Sequence, residues 1–138
     1  MLCRERNYRN LKVWEAAHAL AIRVYAATRD FPDDERYGVV AQVRRSTVSI
    51  AANIAEGAAH SSNASFAKFV DIAYASAAET DYHLLLARDI GYLNPDVYEV
   101  LTLQLDEIRR MLAALRRVLR RTAERRNPVV PPSLSANP

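Results

Sequence analysis

Arginines are the residues of this sequence whose type and spacing point most directly to a chemistry. Eight arginines fall between Arg109 and Arg126, against a single acidic residue, Glu124. Their guanidinium groups carry forked donors that match the oxygens of phosphates. On a helix they form two rows, one of Arg109, Arg116 and Arg120 and the other of Arg110, Arg117 and Arg121. The pattern predicts contacts with the backbone of RNA or DNA, to which Lys12 adds a cation if the N-terminal arm lies nearby.

This arginine pattern has an alternative interpretation, which is a solvated face that binds nothing. No aromatic residues are interleaved with the arginines, so base stacking and sequence readout are not indicated on this helix. If about six arginines neutralised phosphates, affinity for nucleic acid would fall on the order of a thousandfold between 50 and 200 mM salt. Salt dependence therefore separates the two interpretations.

A second group of candidate residues consists of polar side chains inside an otherwise apolar pattern. The group comprises Gln42, Arg45, Asn53, Glu56 and Glu79. A buried polar group without a partner costs about 1–3 kcal/mol, so these side chains must find partners on another helix or another subunit. Glu79 is a natural partner for Arg45. The pattern favours a network that fixes the register of the helices, and the alternative is a ligand site.

Metal and catalytic motifs are the third class of chemistry that we considered. A di-iron bundle needs two Glu-x-x-His motifs and two further glutamates facing inward. Glu15 and His18 have that spacing, but a helical wheel turns Glu15 towards solvent, and Glu79 and His83 are four residues apart. No nucleophile elbow, phosphate loop or dinucleotide fingerprint occurs. The sequence predicts no metal, no cofactor and no enzyme active site.

Four long helical segments would position these residues. The first is predicted from a cap at Asn10 to Asp30, where Phe31-Pro32 ends it. The second begins with the acidic residues 33–35 and runs to Ala59, and the third runs from Ala64 to Ile90. Gly91 ends the third helix, and Asn94-Pro95 starts a fourth that runs to Arg126 and is stopped by Asn127-Pro128. Residues 1–127 are thus one bundle domain, and the Pro- and Ser-rich residues 128–138 are predicted to be disordered.

Apolar residues recur along each segment in steps of three and four, which favours an all-α, antiparallel up-down four-helix bundle. The stripes are Trp14, Ala17, Ala21, Val24 and Thr28; Val40, Val43, Thr47, Ile50 and Ile54; Phe66, Val70, Ala73, Ala77, Leu84 and Ala87; and Leu101, Leu105, Ile108, Leu112, Leu115 and Leu119. The third helix misses a step at Thr80.

Two helices carry a further stripe. On the second it consists of Ala41, Val48, Ala51, Ala52 and Ala55, and on the third of Phe69, Ile72, Ser76, Glu79, His83, Leu86 and Ile90. The surplus favours self-association, and the alternative is a wide contact with two neighbouring helices of the same chain.

Composition agrees with a folded domain in a reducing compartment. The chain has 138 residues, a net charge of +3 and a single cysteine, Cys3, so it forms no intrachain disulfide. Its start is charged where a signal peptide needs an apolar run, and no stretch approaches the ~18 apolar residues of a membrane span. We expect a cytoplasmic protein with no membrane partner.

The sequence also resembles a known bacterial family. Three stretches carry the resemblance: residues 8–25 around Val13-Trp14, residues 31–57, and residues 66–93 ending in Gly91-Tyr92-Leu93. The most specific string is Ser-Ile-x-x-Asn-Ile-Ala-Glu-Gly at residues 49–57. The family comprises four-helix-bundle proteins that include ribosomal RNA intervening-sequence proteins and the accessory variability proteins of retroelements.

This resemblance implies a ring-shaped homopentamer of four-helix bundles with a nucleic-acid-binding or ribonucleoprotein role and no enzyme chemistry. Taken with the arginine pattern, it predicts a non-enzymatic homo-oligomeric scaffold. The scaffold would bind RNA or DNA and would be a protein partner of a nucleic-acid machine. The alternative is a protein–protein adaptor without affinity for nucleic acid.

Overall fold

The computed structural model of the chain describes residues 7–126, which form an all-helical bundle without strands. The helices are α1 (Lys12–Thr28), α2 (Val39–Ala59), α3 (Asn63–Asp89) and α4 (Pro95–Arg126), with short 3₁₀ helices at Tyr8–Asn10 and Asp33–Glu35. Each α-helix packs against two others, α1 with α2 and α4, and α3 with α2 and α4. Short connections make consecutive helices antiparallel. The predicted tail and the stop at Asn127-Pro128 lie outside the described residues.

The core consists of the apolar stripes that the sequence predicts. Nearly every stripe residue is buried, but Trp14 and Leu115 are only partly buried, and Val13 takes a core position instead of Trp14. Thr80, at the missed step of the third helix, is fully buried. Its hydroxyl lies 2.9 Å from the carbonyl oxygen of Ser76, so a polar residue is tolerated in the core because its hydrogen bond is made.

The start of α1 differs from the prediction of an Asn10 cap. The Asn7 side chain accepts a hydrogen bond from the backbone N–H of Arg9 and closes a 3₁₀ turn over Tyr8–Asn10. Leu11 then adopts an extended conformation, and α1 begins at Lys12 without a side-chain cap. Asn10 does not cap α1, because it is the last residue of the 3₁₀ helix that the Asn7 side chain caps.

The acidic residues 33–35 form their own 3₁₀ helix rather than the first turn of α2. Glu35 nevertheless stabilises the start of α2, because its carboxylate accepts a 3.1 Å hydrogen bond from the backbone N–H of Val39. A carboxylate at a helix N-terminus satisfies a free N–H and interacts favourably with the helix dipole.

The ends of α3 and α4 follow the sequence closely. The Ser62 side chain accepts a hydrogen bond from the backbone N–H of Ser65 at the start of α3. Gly91 has a φ of 87° just past the end of α3, a conformation that glycine adopts at little cost. Asn94 accepts a 2.8 Å hydrogen bond from the N–H of Asp96 at the start of α4.

The further stripe of the third helix faces α2 of the same chain. Helices α2 and α3 approach so closely at Gly57 that a Cβ atom there would lie 2.7 Å from Cβ of Phe69. Ser76 is buried against α2, whereas Ile72 and Ile90 are exposed. Most of this stripe is therefore a wide contact within the chain, and only its two isoleucines are left for another molecule.

Candidate nucleic-acid interface

The first row of arginines on α4 lies against carboxylates of α3. Arg120 donates a 2.7 Å hydrogen bond to Oδ2 of Asp71, and Arg116 donates a 3.3 Å hydrogen bond to Oδ1 of the same residue. Arg109 lies 3.9 Å from a carboxylate oxygen of Asp81. Three of the six arginines predicted to bind phosphates therefore already face an anion within the chain.

An aromatic ring also holds this row. The guanidinium carbon of Arg116 lies 4.9 Å from the ring centroid of Tyr74, and that of Arg109 lies 5.8 Å from it. Cations are attracted to the face of an aromatic ring at such distances. Because of Tyr74 and the two aspartates, the first row is part of the α3–α4 contact.

The second row is different, because Arg110, Arg117 and Arg121 are exposed and make no ion pair within residues 7–126. Arg125 and Arg126 are exposed in the last turn of α4 and extend the positive charge. These cations lie along α4 from its middle to its last turn. The arrangement is suited to the repeated phosphates of a nucleic-acid backbone.

Lys12 is exposed at the first residue of α1. Since the helices alternate in direction, α1 begins at the same end of the bundle at which α4 ends. Lys12 thus shares an end with the exposed arginines but lies on a different helix.

The predicted polar network lies between α2 and α3. Arg45 pairs with Glu79 and also donates a 3.1 Å hydrogen bond to the side-chain oxygen of Gln42. Asn53 lies further down α2, where it donates to the hydroxyl of Ser49, and Ser49 lies 2.9 Å from the hydroxyl of Ser76. Glu56 is exposed near the end of α2 and joins neither group. The network thus has two parts and leaves out one predicted member.

The centre of this network is buried, and the sequence did not predict that Ser46, Thr80 and His83 meet there. The Ser46 hydroxyl, fully buried, lies 2.9 Å from the hydroxyl of Thr80 and 3.2 Å from Nδ1 of His83. The sequence does place polar residues at helical spacing on both α2 and α3. That signal does not reveal which of them meet, because the rotation of each helix is set by packing.

Burial lowers the pKa of His83 below its ordinary value, and the positive charge of Arg45 lowers it further. The carboxylate of Glu79 acts in the opposite direction and raises it. Nε2 of His83 lies 4.0 Å from this carboxylate. A neutral ring can therefore accept the Ser46 hydrogen at Nδ1 and point its own N–H towards Glu79.

Ser46, His83 and Glu79 have the residue types of a hydrolytic triad, yet their surroundings suit a structural role. Ser46 has no exposed surface, and its hydroxyl also lies 3.2 Å from the carbonyl oxygen of Val43. A nucleophile must reach its substrate, and this oxygen lies inside the α2–α3 contact.

Among residues 7–126, no three His, Cys, Asp or Glu side chains are close enough together to hold a metal ion. Glu15 is exposed on α1, as the helical wheel indicates. Over the same range, none of the helices combines the length and apolar character needed to cross a bilayer.

Comparison with known proteins gives the family. The model of the 23S rRNA-intervening sequence protein family matches residues 9–114. The chain belongs to this family. Among curated proteins, none matches the chain. The family match ends before Arg116, so four of the six arginines predicted to bind phosphates lie beyond it.

A solved structure supports the same fold for this intervening-sequence family member. A protein of unknown function from the S23 ribosomal protein family of Bacteroides thetaiotaomicron, determined at 1.70 Å resolution, is 28% identical with a TM-score of 0.68. The similarity covers 75% of the present chain and 96% of the Bacteroides chain.

The structure explains the family-like string at residues 49–57. Ile50 and Ile54 are fully buried core residues, whereas Ser49 and Asn53 belong to the polar network. Gly57 allows the close approach of α2 and α3. The spacing of the string is therefore explained mainly by the packing of α2.

Proposed function

We propose that this 23S rRNA-intervening sequence family protein is a homo-oligomeric scaffold that binds the nucleic-acid backbone through α4 and has no catalytic activity of its own. The observation that carries the proposal is the exposed row of Arg110, Arg117 and Arg121, which has no carboxylate partner within residues 7–126. The name of the family supports RNA as the ligand.

The number of contacts sets the expected salt dependence. With Arg109, Arg116 and Arg120 turned towards carboxylates, five exposed arginines of α4 remain for phosphates. Affinity should then fall about a hundredfold between 50 and 200 mM salt, which is less than six contacts would give. Because these contacts are to phosphates, binding should show little sequence preference.

A charge-reversal variant tests the proposal. Arg117→Glu/Arg121→Glu should lose most of its affinity for a labelled RNA, measured by fluorescence anisotropy at low salt. A matched control is Arg23→Glu/Arg36→Glu, which reverses two exposed arginines at the other end of the bundle. Equal affinity of the two variants would contradict binding through α4.

Self-association is the second part of the proposal, and the family resemblance favours a pentamer. Large apolar side chains on the surface support it, since Leu103 and Val118 on α4 are 62% and 60% exposed. Light scattering during size-exclusion chromatography should give a mass five times that of the chain. A monomeric mass at micromolar protein concentration would refute self-association. It would leave nucleic-acid binding through α4 to be tested separately.

A protein–protein adaptor without affinity for nucleic acid is a second candidate function. An apolar depression between α1 and α4, lined by Ala26, Ala27, Val97 and Val100, favours it, because contiguous apolar surface is suited to a protein partner. The two functions differ in a nuclease experiment. Partners retained through nucleic acid would be lost from a pull-down after nuclease treatment, whereas an adaptor would keep them.

A further inference from the structure

A groove of about 560 Å³ runs between α1 and α2 and takes no part in the arginine surface of α4. Small residues of α2, namely Ala51, Ala52 and Ala55 beside Val48, form one side of it. The other side is aromatic and apolar and consists of Tyr8, Trp14, His18, Ile22 and Tyr25. The small residues let a flat ring approach the helix, and the aromatic residues offer it ring faces.

The aromatic residues are already arranged as a stack. Trp14 and His18 lie parallel, with ring centroids 4.8 Å apart and an interplanar angle of 10°. Tyr8 meets Trp14 edge to face at 5.0 Å. His18 is exposed, so the stack ends at a surface where another planar ring can continue it.

Charge around the groove favours an anionic ligand. Among the described residues that line the groove, Arg29 is the one charged side chain and none is a carboxylate. Cations also lie at both ends, because Arg9 is 5.3 Å from the Tyr8 ring and Arg44 is 4.4 Å from the Tyr25 ring. A purely apolar ligand would make no favourable electrostatic contact with these arginines, whereas an anionic ligand would.

We propose that the groove binds unpaired bases of single-stranded nucleic acid. Aromatic side chains, histidine included, stack on bases that are not paired, and cations beside them hold the phosphates. Bases inside a duplex cannot enter such a groove. The inference rests on the proposed function and deepens it, because α4 supplies backbone contacts and the groove selects single strands.

Trp14 gives a direct measurement, since it is the single tryptophan of the chain. A short oligouridylate titrated into the full-length protein should quench Trp14 fluorescence. An oligomer with the same number of phosphates but abasic sugars should leave the fluorescence unchanged and bind about tenfold more weakly for each stacked base lost. This pair of ligands separates the groove from the arginines, which meet the same phosphates in both.

Variants of exposed residues complete the test. His18→Ala/Tyr25→Ala removes two exposed ring faces and should reduce affinity for oligouridylate at least tenfold, towards that of the abasic oligomer. Tyr82→Ala removes an exposed aromatic ring from α3, outside the groove, and should bind like the wild type.

Several results would overturn the proposal. Equal binding of the two oligomers, with the salt dependence intact, would refute the groove and leave the α4 surface standing, whereas no binding of either would refute both. A change in Trp14 fluorescence with protein concentration alone would assign the groove to a second copy. A change in Trp14 fluorescence when residues 127–138 are removed would show that the groove is occupied by the Pro-rich tail.

Discussion

Arg120 of α4 donates a 2.7 Å hydrogen bond to Asp71 of α3, and this contact places a carboxylate where a phosphate oxygen would otherwise bind. The Asp71 side chain is 38% exposed and the Arg120 side chain 55% exposed, so water and phosphate can both reach the pair. Exposed ion pairs contribute only about 0–1 kcal/mol to stability. The contact therefore limits the charge that α4 offers more than it stabilises the fold.

Replacing this carboxylate should strengthen nucleic-acid binding. Asp71→Asn releases Arg116 and Arg120, so affinity for single-stranded RNA should rise several-fold. The slope of log K against log salt should steepen by about 1.4, at roughly 0.7 for each added phosphate contact. Asp106→Asn is the matched control, because Asp106 is exposed on α4 and makes no ion pair within residues 7–126. Equal affinities of the two variants would show that Asp71 does not compete with phosphate.

The hydroxyl of Thr80 should matter more than that of Thr47, although both residues are fully buried. Thr80 lies 2.9 Å from Ser46 across the α2–α3 contact, whereas the hydroxyl of Thr47 bonds only to Val43 of its own helix. Thr80→Val should lower the free energy of unfolding by about 1–2 kcal/mol, because Ser46 loses a hydrogen-bond partner. Thr47→Val should cost less. Urea unfolding measures both, and a larger loss for Thr47→Val would contradict a structural role of the network.

His83 should make stability depend on pH. Its pKa lies below 6.5 in the folded protein because burial disfavours the charged ring. As the pH falls below about 6.5, the unfolded chain takes up a proton that the folded protein does not, so the free energy of unfolding decreases until the folded pKa is passed. The His83→Gln variant should therefore lose less stability than the wild type when the pH is lowered from about 7.5 to about 5.5. Thermal unfolding at each pH measures this difference.

A second variant checks the cause of this pH effect. Glu79→Gln removes the carboxylate that favours the charged ring, so the pKa of His83 should fall further. The loss of stability should then extend to lower pH than in the wild type. A pH profile identical in wild type, His83→Gln and Glu79→Gln would refute the assignment.

Gly57→Ala tests the close approach of α2 and α3. Alanine is favoured over glycine inside a helix by about 1 kcal/mol, so an isolated helix would gain stability. Here the new Cβ would lie 2.7 Å from Cβ of Phe69 and 2.9 Å from the Phe66 ring. Overpacking of this kind costs about 1–3 kcal/mol, and after the gain in helix propensity we expect a net loss of up to about 2 kcal/mol in urea unfolding. A stabilised variant would contradict the close approach.

The ends of the helices show which structural features can be predicted from a few neighbouring residues. Gly91 and Asn94 act within a few residues of their own positions, and their capping roles were predicted correctly. The prediction of a cap at Asn10 was wrong. Asn7 is an equally good cap by residue type, and its side chain caps the 3₁₀ helix that contains Asn10. A local signal fails when two neighbouring residues compete for the same role.

The sequence by itself determined the four helices and their buried faces, because the spacing of Val43, Ile50 and Leu105 depends only on the geometry of one helix. Tertiary structure alone decided which polar groups meet. Asp71 reaches Arg116 and Arg120 from another helix, and Tyr8, Trp14 and Ala52 converge on one groove from separate segments. Such encounters depend on the rotation and register of whole helices, which packing of the entire core sets and no local pattern encodes.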